Sequence, residues 1–235
     1  MAPDGTRHDL ALNSTTSLLE SYDGTYLQFD SSNNVLSLPN GTKVLFGDSS
    51  MLANNFDFLR LPTQITDRNG NYITIGYTTL TFDSNTNNQR RVISNVTDTA
   101  GRQIDFEYQN NRLTGIKQNR NGTWFYFVRL DYALVTLQTN FSATDPALPN
   151  NSQVWMLARL TYPTGASMRF TFNSYGQIAG ISKWTPAIGQ ENARQVAATT
   201  FGYDTDYFPM LVKTRTESAE NWQGASYVYQ SGSTG

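Results

Sequence analysis

Apolar and polar residues alternate along most of this chain, and the alternation restarts at glycines. In Gly70-Asn71-Tyr72-Ile73-Thr74-Ile75-Gly76-Tyr77, large apolar side chains fall three, five and seven residues after the glycine. The same offsets recur in Gly101-Arg102-Gln103-Ile104-Asp105-Phe106-Glu107-Tyr108 and in Gly165-Ala166-Ser167-Met168-Arg169-Phe170-Thr171-Phe172. Shorter versions start at Gly24 (Leu27, Phe29), Gly41 (Val44, Phe46) and Gly122 (Phe125, Phe127), and Gly5 (His8, Leu10) reads as a degenerate first copy. A period of two is the signature of a strand with one buried face, and a glycine just ahead of it marks a tight turn. The pattern predicts an all-β chain of stacked antiparallel hairpins. Gly24, Gly41, Gly70, Gly101, Gly122 and Gly165 are its turn residues. Its repeat core is Ile73, Ile75, Tyr77, Ile104, Phe106, Tyr108, Met168, Phe170 and Phe172. A unit repeated this often points to an architecture built by stacking.

Residues 1–60 read as short hairpins followed by an irregular or short helical excursion over 48–60. Residues 61–235 read as longer repeats, the whole forming one continuous domain. A second half-repeat, an aromatic, a polar turn and apolar residues three apart, runs from Tyr108 to Ile116 and again from Phe172 to Ile181. A looser copy extends from Tyr203 to Val212. Residues 138–153 hold prolines and little periodicity, and 184–195 interrupt the pattern again, so both read as insertions on the surface.

The alternation of turn-glycine strands with aromatic-plus-turn hairpins resembles the YD repeat of Rhs proteins, a group related to the shells of Tc toxin complexes and to teneurins. The stretches that carry the likeness are Val96-Thr97-Asp98-Thr99-Ala100-Gly101-Arg102 with Tyr108, and Leu160-Thr161-Tyr162-Pro163-Thr164-Gly165 with Phe172 and Ile181. Leu61 to Asn71 resembles the family's approach to its repeats, and the likeness spans roughly 20–215. The resemblance implies a β-solenoid-like spiral sheet, often a hollow shell around another polypeptide. It also implies an exported or cell-surface parent protein. Its partners would be further repeats of that parent, a second copy joined through strand edges, or an enclosed polypeptide. The family's self-cleaving Asp-Pro-x-Gly segment has no counterpart, since the single Asp-Pro, Asp145-Pro146, is followed by Ala147-Leu148. No protease residue is therefore carried over.

Composition supports a structural reading. Charged residues are 15% of the 235, below the roughly 25% usual in soluble domains, while 13% are aromatic. A net charge of −2 without a basic run argues against nucleic acid as a partner. Absence of cysteine excludes disulfides and thiolate metal sites. No apolar run reaches the ~20 residues of a membrane helix, and Met1-Ala2-Pro3-Asp4-Gly5 shows no signal-peptide core. Met1 reads equally as a natural start and as an initiator ahead of an excised segment.

Catalytic chemistry finds little purchase. His8 is the single histidine, which removes multi-histidine metal sites and makes a Ser-His-Asp triad depend on one residue near a chain end. Asp67-Arg68-Asn69-Gly70-Asn71 imitates the front of a calcium loop, but its twelfth position is Thr78, so a turn held by Asx hydrogen bonds is the better reading. Asp98, Asp105 and Glu107 are acids on paper; Asp105 and Glu107 alternate with Ile104, Phe106 and Tyr108 and so sit on the polar face of a strand. The expectation is a non-enzymatic chain with no cofactor. Aromatics support one rival, a carbohydrate-binding or adhesive β-sandwich that takes glycans. Trp184, beside Pro186, is its best exposed candidate. Trp124 and Tyr126 alternate with Phe125 and Phe127, which predicts a central strand covered on both faces.

Overall fold

A computed structural model describes residues 7–51, 58–81, 89–138, 151–187, 192–203, 211–220 and 222–229. Those residues form seventeen strands and no helix. The chain divides into two compact units, Met1–Trp124 and Phe125–Gly235.

The first unit runs through β1 (Leu10–Asn13), β2 (Leu18–Ser21), β3 (Gln28–Asp30), β4 (Val35–Ser37) and β5 (Lys43–Met51). It continues through β6 (Phe58–Thr66), β7 (Tyr72–Thr81), β8 (Gln89–Asp98), β9 (Gln103–Gln109) and β10 (Arg112–Arg120). Each strand pairs antiparallel with its successor in the chain, an unbroken meander. Directly opposed residues share a face, so the register writes out the two faces. Leu19, Phe29, Leu36, Val44, Ile65 and Ile73 stand opposite one another in one apolar row. Ile75, Val96 and Ile104 continue that face. Gln28, Ser37, Lys43, Thr66 and Tyr72 form the corresponding row on the other side.

The core of this unit is small. Leu27, Leu36 and Val44 are buried, with Leu10, Phe29, Leu38, Phe46 and Ile65 packed against them. The Phe29 and Phe46 rings meet edge to face at 6.2 Å, the arrangement their quadrupoles favour.

β11 (Thr123–Leu137) leads into the second unit, which holds β12 (Ser152–Thr161), β13 (Ser167–Phe172), β14 (Ile178–Trp184), β15 (Gln195–Tyr203), β16 (Val212–Ala219) and β17 (Trp222–Val228). These too pair in chain order. Leu130, Leu160 and Met168 form an apolar row, while Asp131, Arg159, Arg169 and Ser182 form a polar one. Leu137 is buried at the end of β11. There the Gln138 amide donates to the Ser174 carbonyl at 2.7 Å, closing the strand end onto the turn after β13.

The predicted all-β hairpin stack is therefore the fold, with one correction in the first unit. Residues 48–51 and 58–60, expected to be an excursion, belong to β5 and β6, and 52–57 lie outside the described residues. The β5–β6 register shifts on both sides of Phe46. Two bulges destroy the period-two pattern without ending the strand, which is why alternation fails there. Of the 138–153 insertion, Ser152 and Gln153 already belong to β12, and 139–150 lie outside the described residues. Trp184 and Gln195 are strand ends flanking the second insertion, of which 188–191 are not described; the same holds for 204–210 in the looser repeat.

Candidate functional surface

The element that repeats most faithfully is a five-residue turn. At 38–42, 67–71, 98–102, 162–166 and 173–177, the first residue's amide donates to the fifth carbonyl, and the fourth residue's amide donates to the first carbonyl. Glycine occupies the fourth place each time, with φ between +76° and +86°. This is a hairpin loop in which a type I turn is followed by one left-handed residue. Side chains reinforce it. Asp67 Oδ1 accepts the amides of Asn69 and Asn71 at 2.8 and 2.9 Å. Asp98 Oδ1 accepts those of Ala100 and Arg102 at 3.0 and 2.9 Å. Asn173 Oδ1 does the same for Tyr175 and Gln177 at 3.0 and 2.9 Å. The expected Asx turn at Asp67 is what forms.

The second oxygens of the two aspartates differ in partner. Asn71 Nδ2 donates to Asp67 Oδ2 at 2.9 Å, whereas Arg102 Nε donates to Asp98 Oδ2 at 2.6 Å. Donation from Asn71 is the main influence that lowers the Asp67 pKa below the usual carboxylate value, and donation from Arg102 is the main one for Asp98. Hydrogen bonds to the charged form stabilise it.

All six predicted turn glycines, Gly24, Gly41, Gly70, Gly101, Gly122 and Gly165, have positive φ. Two of them show different demands. A Cβ on Gly70 would meet nothing within 4 Å, so the backbone angle alone calls for glycine there. A Cβ on Gly41 would lie 2.9 Å from the Cβ of Arg68, so that turn is also pressed against the next turn of the series.

Three ladders next to these turns are short. β6 and β7 pair only through Gln64–Thr66, β8 and β9 through Asn95–Thr97, and β12 and β13 through Arg159–Thr161. Beyond the short ladder in the first two cases, a tyrosine hydroxyl takes over. Tyr77 donates to the carbonyl of Pro62 at 2.7 Å, and Tyr108 donates to that of Ile93 at 2.8 Å, each fifteen residues back in the chain. Tyr77 itself stands opposite Ile93, so the bonds form a relay from β6 to β9. Burial is the main reason both phenols have raised pKa values. The equivalent residue in the third copy is Phe172, which has no hydroxyl to offer. Sequence reasoning placed Tyr77 and Tyr108 in the core by their rings and missed this bond. The signal was the hydroxyl itself, at the same offset from Gly70 and Gly101.

The repeat core residues Ile73, Ile75, Tyr77, Ile104, Phe106, Tyr108, Met168, Phe170 and Phe172 lie on their strands as placed, but each is half-buried. Among the described residues, no large side chain is fully buried. Each unit covers its own repeat residues incompletely.

Trp184 requires correction. It is half-buried, Arg169 stacks on its ring at 3.8 Å from the centroid, and its Nε1 donates to Ser182 Oγ at 2.8 Å. The cation comes from the neighbouring strand, a contact that adjacency to Pro186 does not reveal. The exposed indoles are Trp124, Trp155 and Trp222. Phe125 and Phe127 are exposed as well, so their stretch of β11 is not the covered strand its composition predicted. Lys117 lies over the Trp124 ring and Arg129 over the Tyr126 ring.

The acids are engaged in structural bonds. Asp105 accepts from Gln103 at 2.6 Å, Glu107 pairs with Lys117, and Asp48 pairs across to Arg91. His8 Nδ1 lies 2.5 Å from Asp23 Oδ2. Among the described residues no cluster of three metal-ligating side chains forms.

No family model matches the chain, and no curated protein matches it. Solved structures do. The chain is similar to TcdB2-TccC3 without its hypervariable C-terminal region, at 12% identity and a TM-score of 0.37 over 85% of this chain. It is similar to TcdB2-TccC3-Cdc42 at 12% identity and a TM-score of 0.39 over 89%. It is also similar to a porin-like protein from Bacteroides uniformis ATCC 8492, at 13% identity and a TM-score of 0.37, covering 76% of this chain and 79% of that one. The chain spans only 12% and 14% of the two toxin-complex chains.

Proposed function

We propose that this chain is a non-enzymatic structural segment of a larger shell protein of the YD-repeat type, wall material that encloses or presents another polypeptide outside the cell. The observation that carries this reading is the pairing of every described strand in each unit with its chain neighbour, punctuated by one turn whose backbone hydrogen bonds recur at 67–71 and 98–102. Such a design extends by adding hairpins. Half-buried repeat residues are what a unit of that design keeps for its neighbours, because one hairpin cannot bury its own face. The paired acids fit the same reading, since a carboxylate spent on a turn or a salt bridge is not poised for proton transfer.

Strand edges at either end of a stack are adhesive. Sedimentation of the purified chain over a wide concentration range should therefore show reversible self-association. A strictly monomeric species at the highest concentration contradicts the reading.

A further inference from the structure

A groove of about 580 Å³ lies in the first unit beside two successive turns, lined by Thr42, Ile65, Asp67, Ile73, Asp98 and Arg102 among others. Its volume is within the range of ordinary ligand sites. Ile65 and Ile73 face each other across the β6–β7 ladder, and Asp67, two residues after Ile65 at the start of the turn, lines the same groove.

The two turns that border it are near copies with one electrostatic difference. In the 98–102 turn, the fifth residue is Arg102, which neutralises Asp98. In the 67–71 turn, the fifth residue is Asn71, an uncharged donor. Asp67 thus keeps its charge with amide partners only, beside an apolar floor. Arg68, the next residue, does not line the groove. A cation supplied in cis on one side of the groove is missing on the other.

We propose that this groove docks a basic side chain, lysine or arginine, of a partner polypeptide, its aliphatic stem along Ile65 and Ile73 and its cation on Asp67. Long basic side chains suit such a place because they bury their stems on apolar surface and keep the charge at a polar rim. An acidic side chain is repelled by Asp67, and a neutral one gains no ion pair there. The surface is separate from the wall reading, which sedimentation tests.

The test is titration of the isotope-labelled full chain with hexalysine, followed by amide NMR, with hexaserine as the neutral peptide. Two variants keep the turn. Asp67→Asn leaves the Asx bonds in place, as Asn173 makes them at 173–177. Asn71→Arg installs the arrangement of Asp98 and Arg102. The expected result is a set of hexalysine shifts confined to 65–73 and 98–102, weakened by added salt. Affinity falls about three- to fivefold in either variant, the scale of one exposed ion pair; hexaserine shifts nothing. Absence of shifts with hexalysine, shifts spread over the molecule, or shifts that persist unchanged in both variants would overturn the proposal.

Discussion

Removing one oxygen from Tyr108 isolates the hydroxyl bond from everything else that residue does. Tyr108→Phe keeps the half-buried ring and its place opposite Leu113 but deletes the 2.8 Å bond to the Ile93 carbonyl. A hydrogen bond of this kind contributes about 0.5–1.5 kcal/mol net. The ladder between β8 and β9 stops at Asn95–Asp105, so no backbone pair in that ladder substitutes for it. Urea unfolding followed by tryptophan fluorescence should show a lower midpoint, by roughly that free energy, at unchanged m-value. Tyr77→Phe should behave alike through Pro62. Because Tyr77 stands opposite Ile93, whose carbonyl Tyr108 holds, the double variant should deviate from additivity by about 0.5 kcal/mol or more, as neighbours sharing a network do. A Tyr108→Phe chain as stable as the parent, or strict additivity in the double variant, would refute the relay.

The phenols also set an alkaline limit. Their folded pKa values are raised, so their contribution is complete below about pH 10 and is lost as pH rises through the folded values; the Phe variants should flatten that decline in a thermal-melt series. Asp67 and Asp98 act in the opposite direction: their lowered values give stability present above the ordinary carboxylate range and lost as pH falls through the folded values, which Asp98→Asn should blunt. Gly70→Ala should cost about 1–2 kcal/mol for its left-handed backbone alone, and Gly41→Ala should cost more because Arg68 Cβ occupies the space, a difference that paired denaturation curves resolve. Phe106→Ala should cost about 2–4 kcal/mol, toward the lower part of the range for a buried phenylalanine because some of the side chain stays exposed, and an equilibrium unfolding loss under about 1 kcal/mol would contradict its place in the repeat core.

Turn positions were the most legible feature of the sequence. Gly70 and Gly101 sit where only a residue tolerant of positive φ fits, and the strands that follow alternate because one face is apolar. Bulges were not legible: around Phe46 and Gly47, an extra residue shifts the side-chain phase, and strand reads as irregular chain. Alternation also says which side a residue faces without saying whether anything lies over it. Alternation puts Phe106 on the face of Ile104 and Phe170 on that of Met168, but their half-burial depends on neighbours that a local pattern cannot contain. Trp184 fails for the related reason that its cover, Arg169, lies fifteen residues earlier on a paired strand. The groove at Asp67 was half visible. Its acidic turn residues were plain, and the apolar floor emerges only from the β6–β7 register.

Sequential pairing of hairpins is the claim on which the rest depends, and cross-strand NOEs between Hα and amide protons test it directly. The register predicts contacts for Leu36 with Val44, Ile65 with Ile73, Val96 with Ile104 and Leu160 with Met168. Contacts that join strands distant in the chain, with those four pairs absent, would contradict it.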